Sequence, residues 1–229
     1  MDIVIFDEIS FKPSTAKLLK KLRVKKGSSQ EEYIKQMIKY AQNIGSPKAM
    51  FRLSGIDDIR KDGVIIDGID LTSRILSVNL QNVNRAFPYL VTSGRELYNW
   101  KESQDDMLGK YYADEISQMA LLTAEKFLLD YLKNTFELGK TASMNPGSLP
   151  DWPITAQQDL FKLLGNQEAL IGVELLESML MIPNRTVSGI RFVSEDRYSN
   201  CELCPRNNCS HRRTPYNPEL LEIKYHQGQ

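Results

Sequence analysis

The sequence has few of the side chains that most enzymes use for acid–base or nucleophilic chemistry. Its 229 residues include three cysteines and two histidines, His211 and His226. It contains no nucleophile elbow, no Ser/His/Asp set and no phosphate-binding glycine loop. We therefore predict no catalytic residue, and we expect the chain to act by binding and placing other molecules.

The chain also lacks an excess of either charge and a long apolar run. Lysine and arginine together number 29, as do aspartate and glutamate, whereas a general nucleic-acid binder carries a basic surplus. No stretch approaches the roughly 20 apolar residues that cross a bilayer. The start of the chain, residues 1–6, is acidic and too short to be a signal peptide. We expect neither nucleic acid nor a membrane as a partner.

The three cysteines lie close together, as Cys201, Cys204 and Cys209. An odd number cannot pair fully, so a reduced, cytoplasmic protein fits better than a secreted disulfide scaffold. The C-x2-C-x4-C spacing, followed by His211, is typical of a tetrahedral zinc site. Three cysteines with an open position are equally suited to an iron–sulfur cluster. Reduced surface thiols and a Cys201–Cys204 redox pair are the alternatives.

Secondary-structure signals are spread over a chain that is 41% hydrophobic and 25% charged, as in ordinary globular proteins. The apolar start at 3–9 predicts a first strand. Ser14 predicts the beginning of one helix, and Ser29 with Glu32 in a capping box predicts the beginning of a second.

The middle and the second half of the chain have different patterns. Residues 48–92 are predicted as β-strands, with 74–80 among them, around a hairpin turn at Asp67–Gly68. Apolar residues at helical spacing predict a long helix over 105–136. Because strands alone would leave one face of the sheet wet, we predict a single α+β domain with a twisted, mainly antiparallel β-sheet surrounded by helices.

A proline-rich loop follows the long helix, at 145–153 (NPGSLPDWP). Its prolines forbid a helix and its Pro146–Gly147 step is turn chemistry. Such a loop is expected to present unpaired amides and carbonyls to anything lying against it, and a plain surface connection is the alternative. A helix containing Gln157 comes next. It is followed by the motifs G-x-x-L-x-E-S-x-x-M-x-P at 172–183 and V-S-G-x-x-F at 187–192, and by Tyr198.

This order of motifs resembles the activation domain of cobalamin-dependent methionine synthase. The matching residues are Pro146, Gly147, Pro153, Gly172, Leu175, Glu177, Ser178, Met181, Pro183, Val187, Ser188, Gly189, Phe192 and Tyr198. The resemblance implies the fold of that domain over residues 1–199, with 200–229 as a cysteine-rich tail. It also implies binding of S-adenosylmethionine over a cobalamin oxidised to Co(II).

The same resemblance implies which residues contact S-adenosylmethionine. They are Asn145, Gly147, Ser148, Ser188, Gly189 and Tyr198. The loop departs from the family pattern R-x-x-P-G-Y, because Ser143 stands at the arginine position and Ser148 at the tyrosine position. Since arginine is the usual clamp for a carboxylate, that role would pass to Arg185, Arg191 or Arg197.

These expectations lead to one functional hypothesis and two alternatives. The first is a stand-alone activation subunit, an accessory of the methyltransferase, which docks on a cobalamin-binding methionine synthase and draws on a reductant protein. The second is a metal- or iron–sulfur-bearing redox or docking protein for a corrinoid methyltransferase that has lost the S-adenosylmethionine site. The third is a structural docking subunit for another corrinoid protein.

Overall fold

The computed structural model describes residues 3–194, 198–209 and 212–226. The strands are β1 (Ile3–Phe6), β2 (Lys48–Arg52), β3 (Ser54–Arg60), β4 (Gly63–Ile66), β5 (Ile69–Thr72), β6 (Arg85–Thr92), β7 (Thr141–Met144), β8 (Glu174–Leu175), β9 (Met181–Ile182) and β10 (Thr186–Val193). The helices are α1 (Thr15–Lys21), α2 (Ser29–Ile44), α3 (Arg74–Leu80), α4 (Arg95–Glu102), α5 (Met107–Thr135), α6 (Gln157–Leu164), α7 (Gln167–Ile171), α8 (Asn200–Leu203) and α9 (Pro218–Leu220), with a 3-10 turn at Ile154–Ala156 and a π-helical segment at Leu221–His226.

Strand β6 is the centre of an antiparallel sheet. It pairs with β2 along one side and with β10 along the other, and β1 and β7 extend the sheet beyond these two strands. The first residues of β6 also pair with β3, which leads into the β3–β4–β5 meander. Strands β8 and β9 form a separate hairpin. The predicted α+β class and the mainly antiparallel sheet are confirmed.

Helices and loops cover both faces of the sheet, which explains why β6 is apolar along its length. Because alternate residues of a strand face opposite sides, Phe87 and Val91 pack against α5, whereas Leu90 belongs to the core on the other face. That second core contains residues of α3 and α6 and the buried Trp152. It also contains Tyr225 from the C-terminal segment.

Helix α5 spans 29 residues, about 43 Å at 1.5 Å per residue. It begins after Asp106, whose carboxylate accepts the Gly109 N–H at 2.8 Å. Its first half packs against α1, α2 and α4, and its second half packs on the sheet. The helix predicted over 105–136 is confirmed. Among the described residues, no helix is both long and apolar enough to cross a membrane.

The prediction of a strand at 74–80 was wrong, because these residues form α3. Ser73 caps this helix by accepting the Leu76 N–H at 3.0 Å. The Asp151 carboxylate accepts the next orphan amides, from Arg74 at 3.2 Å and Ile75 at 3.1 Å. The apolar residues of 74–80 fit the period of a strand as well as that of a helix. The helix is favoured by its caps, and one of the capping side chains, Asp151, is distant in sequence.

The N-cap of α2 lies one residue before the predicted capping residue, Ser29. Ser28 is the N-cap and accepts the Glu31 N–H at 3.2 Å. The Glu31 carboxylate accepts the Gly27 N–H at 2.6 Å, whereas the Ser28 N–H donates to the Lys25 carbonyl at 3.2 Å. Ser28 and Glu31 therefore hold the positions expected of Ser29 and Glu32, but the return bond to the amide of the N-cap residue is replaced by the bond from Gly27.

Candidate functional site

The candidate site is built at the sheet edge where β7 pairs with β10. In this pair Ser143 lies directly across from Arg191, and residues opposite one another share a face of the sheet. In the neighbouring pair Gly189 lies across from Tyr89, whose ring belongs to the core on the α5 side. Ser143, Gly189 and Arg191 therefore line the α5 side of this edge.

The proline-rich loop at 145–153 closes on itself. The Gly147 N–H donates to the Trp152 carbonyl at 2.8 Å, and the Ser148 N–H donates to the Asn145 carbonyl at 3.1 Å. Gly147 is exposed and has φ +79°, a backbone conformation that glycine adopts readily because it has no side chain. The expectation of unpaired amides in this loop is corrected for Gly147, Ser148 and Trp152, whose amides are bonded within the loop.

The D-W-P motif anchors the loop to the body of the protein. Asp151 accepts hydrogen bonds from the Ser73 hydroxyl and from the first two amides of α3. Trp152 is fully buried in the core beneath the loop. This part of the resemblance therefore has a structural explanation, since the motif fixes where the loop leaves the sheet.

Asn145 joins the loop to its neighbours. Its Nδ2 donates to the Ser188 carbonyl at 2.7 Å and to the Tyr89 hydroxyl at 3.1 Å. Its Oδ1 accepts from Asn200 Nδ2 at 3.3 Å. Asn200 Oδ1 in turn accepts from the Tyr198 hydroxyl at 2.8 Å. The amide of Asn145 thus connects β6, β10 and the C-terminal segment.

Ser188 points to the face opposite Gly189. Its hydroxyl donates to Gln157 Oε1 at 2.8 Å, and Gln157 Nε2 donates to the Met179 carbonyl at 2.7 Å. Ser188 and Gln157 are both buried. The serine therefore connects β10 to α6 and, through Gln157, to the β8–β9 hairpin.

Tyr198 closes the site from the C-terminal side. Its ring packs against Phe192, with 6.3 Å between the ring centroids. Burial raises the pKa of Tyr198 above its ordinary value, and the carboxylates of Asp151 and Glu202 act in the same direction. The phenol is therefore a neutral hydrogen-bond donor.

The three arginines considered as replacements for the clamp have different surroundings. Arg185 pairs with both carboxylate oxygens of Asp114 on α5 and donates to Gln118, so its fork is occupied. The Arg191 guanidinium carbon lies 5.7 Å from the Tyr89 ring centroid, and its Nη1 donates to Thr141 Oγ1 at 3.3 Å. Arg197 lies outside the described residues. Arg191 is therefore the better placed of the two that are described.

A cleft of about 620 Å³ lies between α6, α7 and the β8–β9 hairpin. Its lining includes the carboxylates of Glu168, Glu174 and Glu177, and Met179, which the Gln157 bridge connects to Ser188. Arg95 pairs with Glu174 at 3.2 Å. The remaining acidic lining favours a ligand with positive charge. This cleft was not predicted from the sequence, although its lining residues all lie within 158–179, because the way in which consecutive elements pack against one another cannot be read from their spacing.

The cysteine segment adjoins the site through Asn200. Cys201, Cys204 and Cys209 are partly buried free thiols. Burial raises the pKa of Cys201, but hydrogen bonds from the Arg213 and Thr214 backbone and the charge of Arg212 outweigh this, and the pKa is lowered. Within 3–194, 198–209 and 212–226, no three metal-ligating side chains are gathered around one point. His211, the predicted fourth ligand, lies outside these residues, so the metal site remains a prediction.

The fold defines the class of protein as an α+β domain whose antiparallel sheet is covered on both faces. The crystal structure of the MetH reactivation domain bound to AdoHcy has a similar fold, with a TM-score of 0.60 and 14% sequence identity. The similarity covers 87% of this chain and 80% of that one. No family model and no curated protein sequence matches the chain. The resemblance to the methionine synthase activation domain is therefore confirmed for the fold.

The six predicted contact residues lie in one region of the protein. Asn145, Gly147 and Ser148 form the loop, Ser188 and Gly189 form the strand beneath it, and Tyr198 is linked to the loop through Asn200. Their contact with a ligand remains a prediction. Three further residues, Tyr89, Gln157 and Asn200, hold this region together. Only the pattern around Gln157 marked any of the three in the sequence.

Proposed function

We propose that this chain is a stand-alone activation subunit of cobalamin-dependent methionine synthase. It would bind S-adenosylmethionine and present it to Co(II) cobalamin carried by a partner protein. The observation that carries this proposal is the similarity in fold to the MetH reactivation domain over 87% of the chain. That domain binds AdoHcy, the compound that remains when S-adenosylmethionine has given up its methyl group.

The proposed reaction needs one electron and one methyl group. A one-electron reductant and S-adenosylmethionine together convert Co(II) cobalamin into methylcobalamin, and AdoHcy leaves. No proton is transferred, which agrees with a chain that has only two histidines. The contribution of the protein is to hold the methyl group close to the cobalt and to keep water away from it.

Arg191 is assigned the role of the carboxylate clamp. It lies directly across the β7–β10 pair from Ser143, the position at which the family pattern has arginine. In this chain the guanidinium would therefore come from the neighbouring strand, on the same face of the sheet as the arginine of the family pattern. Its planar fork suits the carboxylate of an amino-acid ligand, and Tyr89 stacks beside it.

One other feature supports a ligand of this type. The turn at Gly147, with φ +79°, is exposed at the surface of the loop, where a ligand can contact its backbone.

Calorimetric titration of the full chain with S-adenosylmethionine tests this proposal. The wild type should bind, and Arg191→Lys should bind about 10- to 150-fold more weakly, because a hydrogen-bonded charge pair contributes roughly 1.5–3 kcal/mol. Arg60→Lys is the matched control, because Arg60 lies on β3 and pairs with Asp70 in solvent. It should bind as the wild type does.

Absence of heat at millimolar S-adenosylmethionine would remove the ligand from the proposal. It would favour the alternative, a metal-bearing redox or docking protein for a corrinoid methyltransferase. Co-purification with a cobalamin-binding domain would then separate a docking subunit from a protein with no corrinoid partner.

A further inference from the structure

We propose that Cys201, Cys204 and Cys209 hold a thiophilic metal centre, zinc or an iron–sulfur cluster, and that Arg212 positions all three. This inference goes beyond the activation role and does not depend on S-adenosylmethionine binding. It rests on the backbone of the cysteine segment, which is organised around one arginine, through its guanidinium and its own backbone N–H.

Arg212 contacts the backbone of every cysteine in the chain. Its Nη1 donates to the Cys201 carbonyl at 2.9 Å, and its Nη2 donates to the Cys204 carbonyl at 3.1 Å. Its own backbone N–H donates to the Cys209 carbonyl at 3.2 Å. The guanidinium also donates to the carbonyls of Arg206 and Thr214. The planar fork of the arginine thereby joins Cys201 to Cys204, and the backbone of the same residue adds Cys209.

The sulfur of Cys201 already has the hydrogen bond that a thiolate ligand requires. The Arg213 N–H donates to Cys201 Sγ at 3.5 Å. Backbone N–H groups directed at cysteine sulfurs stabilise thiolates in metal sites and adjust their charge. The Ser199 hydroxyl, which accepts from Thr214 Oγ1 at 3.0 Å and from the Cys201 N–H at 3.3 Å, joins the two ends of the segment.

The segment is also held firmly against the body of the protein. Leu203, between the first two cysteines, is 4% exposed and lies in the main core. The Asn217 N–H donates to the Glu202 carbonyl at 2.7 Å. A rigid support of this kind distinguishes a built site from three thiols on a flexible tail.

Charge favours the same assignment. Three thiolates around a divalent ion carry a net charge of −1, and the guanidinium of Arg212 supplies +1 beside them. Arg206 and Arg213 add positive charge in the same segment. The arrangement reduces the cost of placing a negatively charged centre against the apolar core.

The thiols are not gathered around one point in the described residues. Gathering of the ligands is part of metal binding in small cysteine-rich segments. The backbone support, rather than the present direction of each sulfur, therefore identifies the site.

The first test is metal analysis of the full chain purified without oxygen. We expect one zinc per chain, or iron and sulfide with visible absorption, and these two results distinguish the two kinds of centre. In a titration with Co²⁺, thiolate-to-metal absorption should rise to an end point, and all three cysteines should then resist alkylation. Retention of a metal in this way supports the proposal.

Variants test the part assigned to each residue. Replacement of any one cysteine by serine should lower the metal affinity at least tenfold and reduce the thiolate-to-metal absorption at saturation. Arg212→Lys should lower the affinity about 10- to 100-fold, as is typical of residues that support ligands. It should reach the wild-type spectrum at saturating Co²⁺, because the three sulfur ligands remain. Arg206→Lys, at an exposed side chain of the same loop, should change neither quantity.

Three results would overturn the proposal. One is a chain that retains no metal and shows no thiolate absorption with Co²⁺. Another is a Cys201–Cys204 disulfide in the native protein. The third is an Arg212→Lys variant that keeps the wild-type metal affinity. If Arg212→Lys does not fold, as judged by circular dichroism, the cysteine variants still decide the question of the metal.

Discussion

Gly189 lies where β10 passes beneath the Asn145 side chain. A Cβ atom at this position would be 2.5 Å from Asn145 Nδ2 and 2.6 Å from the Met144 carbonyl oxygen. The Tyr89 ring would be 3.0 Å away. Because one of these neighbours is backbone, the clash cannot be relieved by a change of rotamer alone. Glycine at this position therefore allows the loop to dock on the strand.

We predict that Gly189→Ala lowers the free energy of unfolding by about 1–3 kcal/mol, the usual cost of overpacking. Denaturant unfolding measures this. Gly55→Ala is the control, because Gly55 is also in a strand and a Cβ there meets nothing within 4 Å. Equal losses in the two variants would show that Gly189 is not a point of close approach.

Tyr198 gives the protein a pH dependence in alkaline solution. Its pKa is raised in the folded state by burial, so its contribution to stability is full below the ordinary tyrosine pKa of 10.0. Above that value the unfolded state loses the proton first, and stability falls by about 1.4 kcal/mol per pH unit for this group. The free energy of unfolding of Tyr198→Phe should therefore fall less steeply with rising pH in this range than that of the wild type.

Urea unfolding at a series of alkaline pH values checks this prediction. Tyr216→Phe is the control, because that side chain is 41% exposed, and it should follow the wild-type curve. A Tyr198→Phe curve parallel to that of the wild type would contradict the role given to burial.

At the scale of elements, the proline-rich loop and helix α3 depend on one another. Asp151 supplies acceptors for the Ser73 hydroxyl and for the amides of Arg74 and Ile75. Asp151→Ala should therefore destabilise the protein by about 1–2 kcal/mol, as loss of a cap does. Asp159→Ala, which removes an exposed pair with Lys162, should cost less than about 0.5 kcal/mol.

Equilibrium unfolding of the two aspartate variants tests this dependence. In addition, Asp151→Ala should speed proteolysis within the loop. If the loop and α3 were independent, the variant would have wild-type stability and an unchanged cleavage pattern.

The elements that could be predicted from the sequence are those with local signals. The long apolar period of α5, the cap at Ser14 and the Asp67–Gly68 turn all depend on neighbours in the chain, and each is found as expected. Residues 74–80 were assigned wrongly, since part of their helix cap comes from Asp151. Strand β7 was not predicted either. It has only four residues, and its pairing with β10 holds it in the sheet.

At the scale of the whole molecule, the resemblance predicts which segments form the candidate site, but not how those segments are assembled. The loop and β10 were identified from short motifs. The pairing that places Arg191 opposite Ser143, and the Asn145–Asn200 contact, join segments about 50 residues apart. Neither could be read from spacing, because strand register is determined by the fold as a whole.

The C-terminal segment lies beside the proline-rich loop. Cys201 directly follows Asn200, which donates to Asn145 of the loop. If a metal centre forms on this segment, it adjoins the loop at which we propose the methyl donor binds. Zinc there would stabilise this end of the site, whereas an iron–sulfur cluster would also bring an electron carrier next to it.

The activation role is tested most directly by following a cobalamin-binding methionine synthase fragment in its Co(II) state by absorption. S-adenosylmethionine and a one-electron reductant are added, with or without this chain. We predict that methylcobalamin and AdoHcy form in equal amounts only when the chain is present, and more slowly with Arg191→Lys than with Arg60→Lys. Methylcobalamin formation at the same rate without the chain, or none with it, would contradict the account.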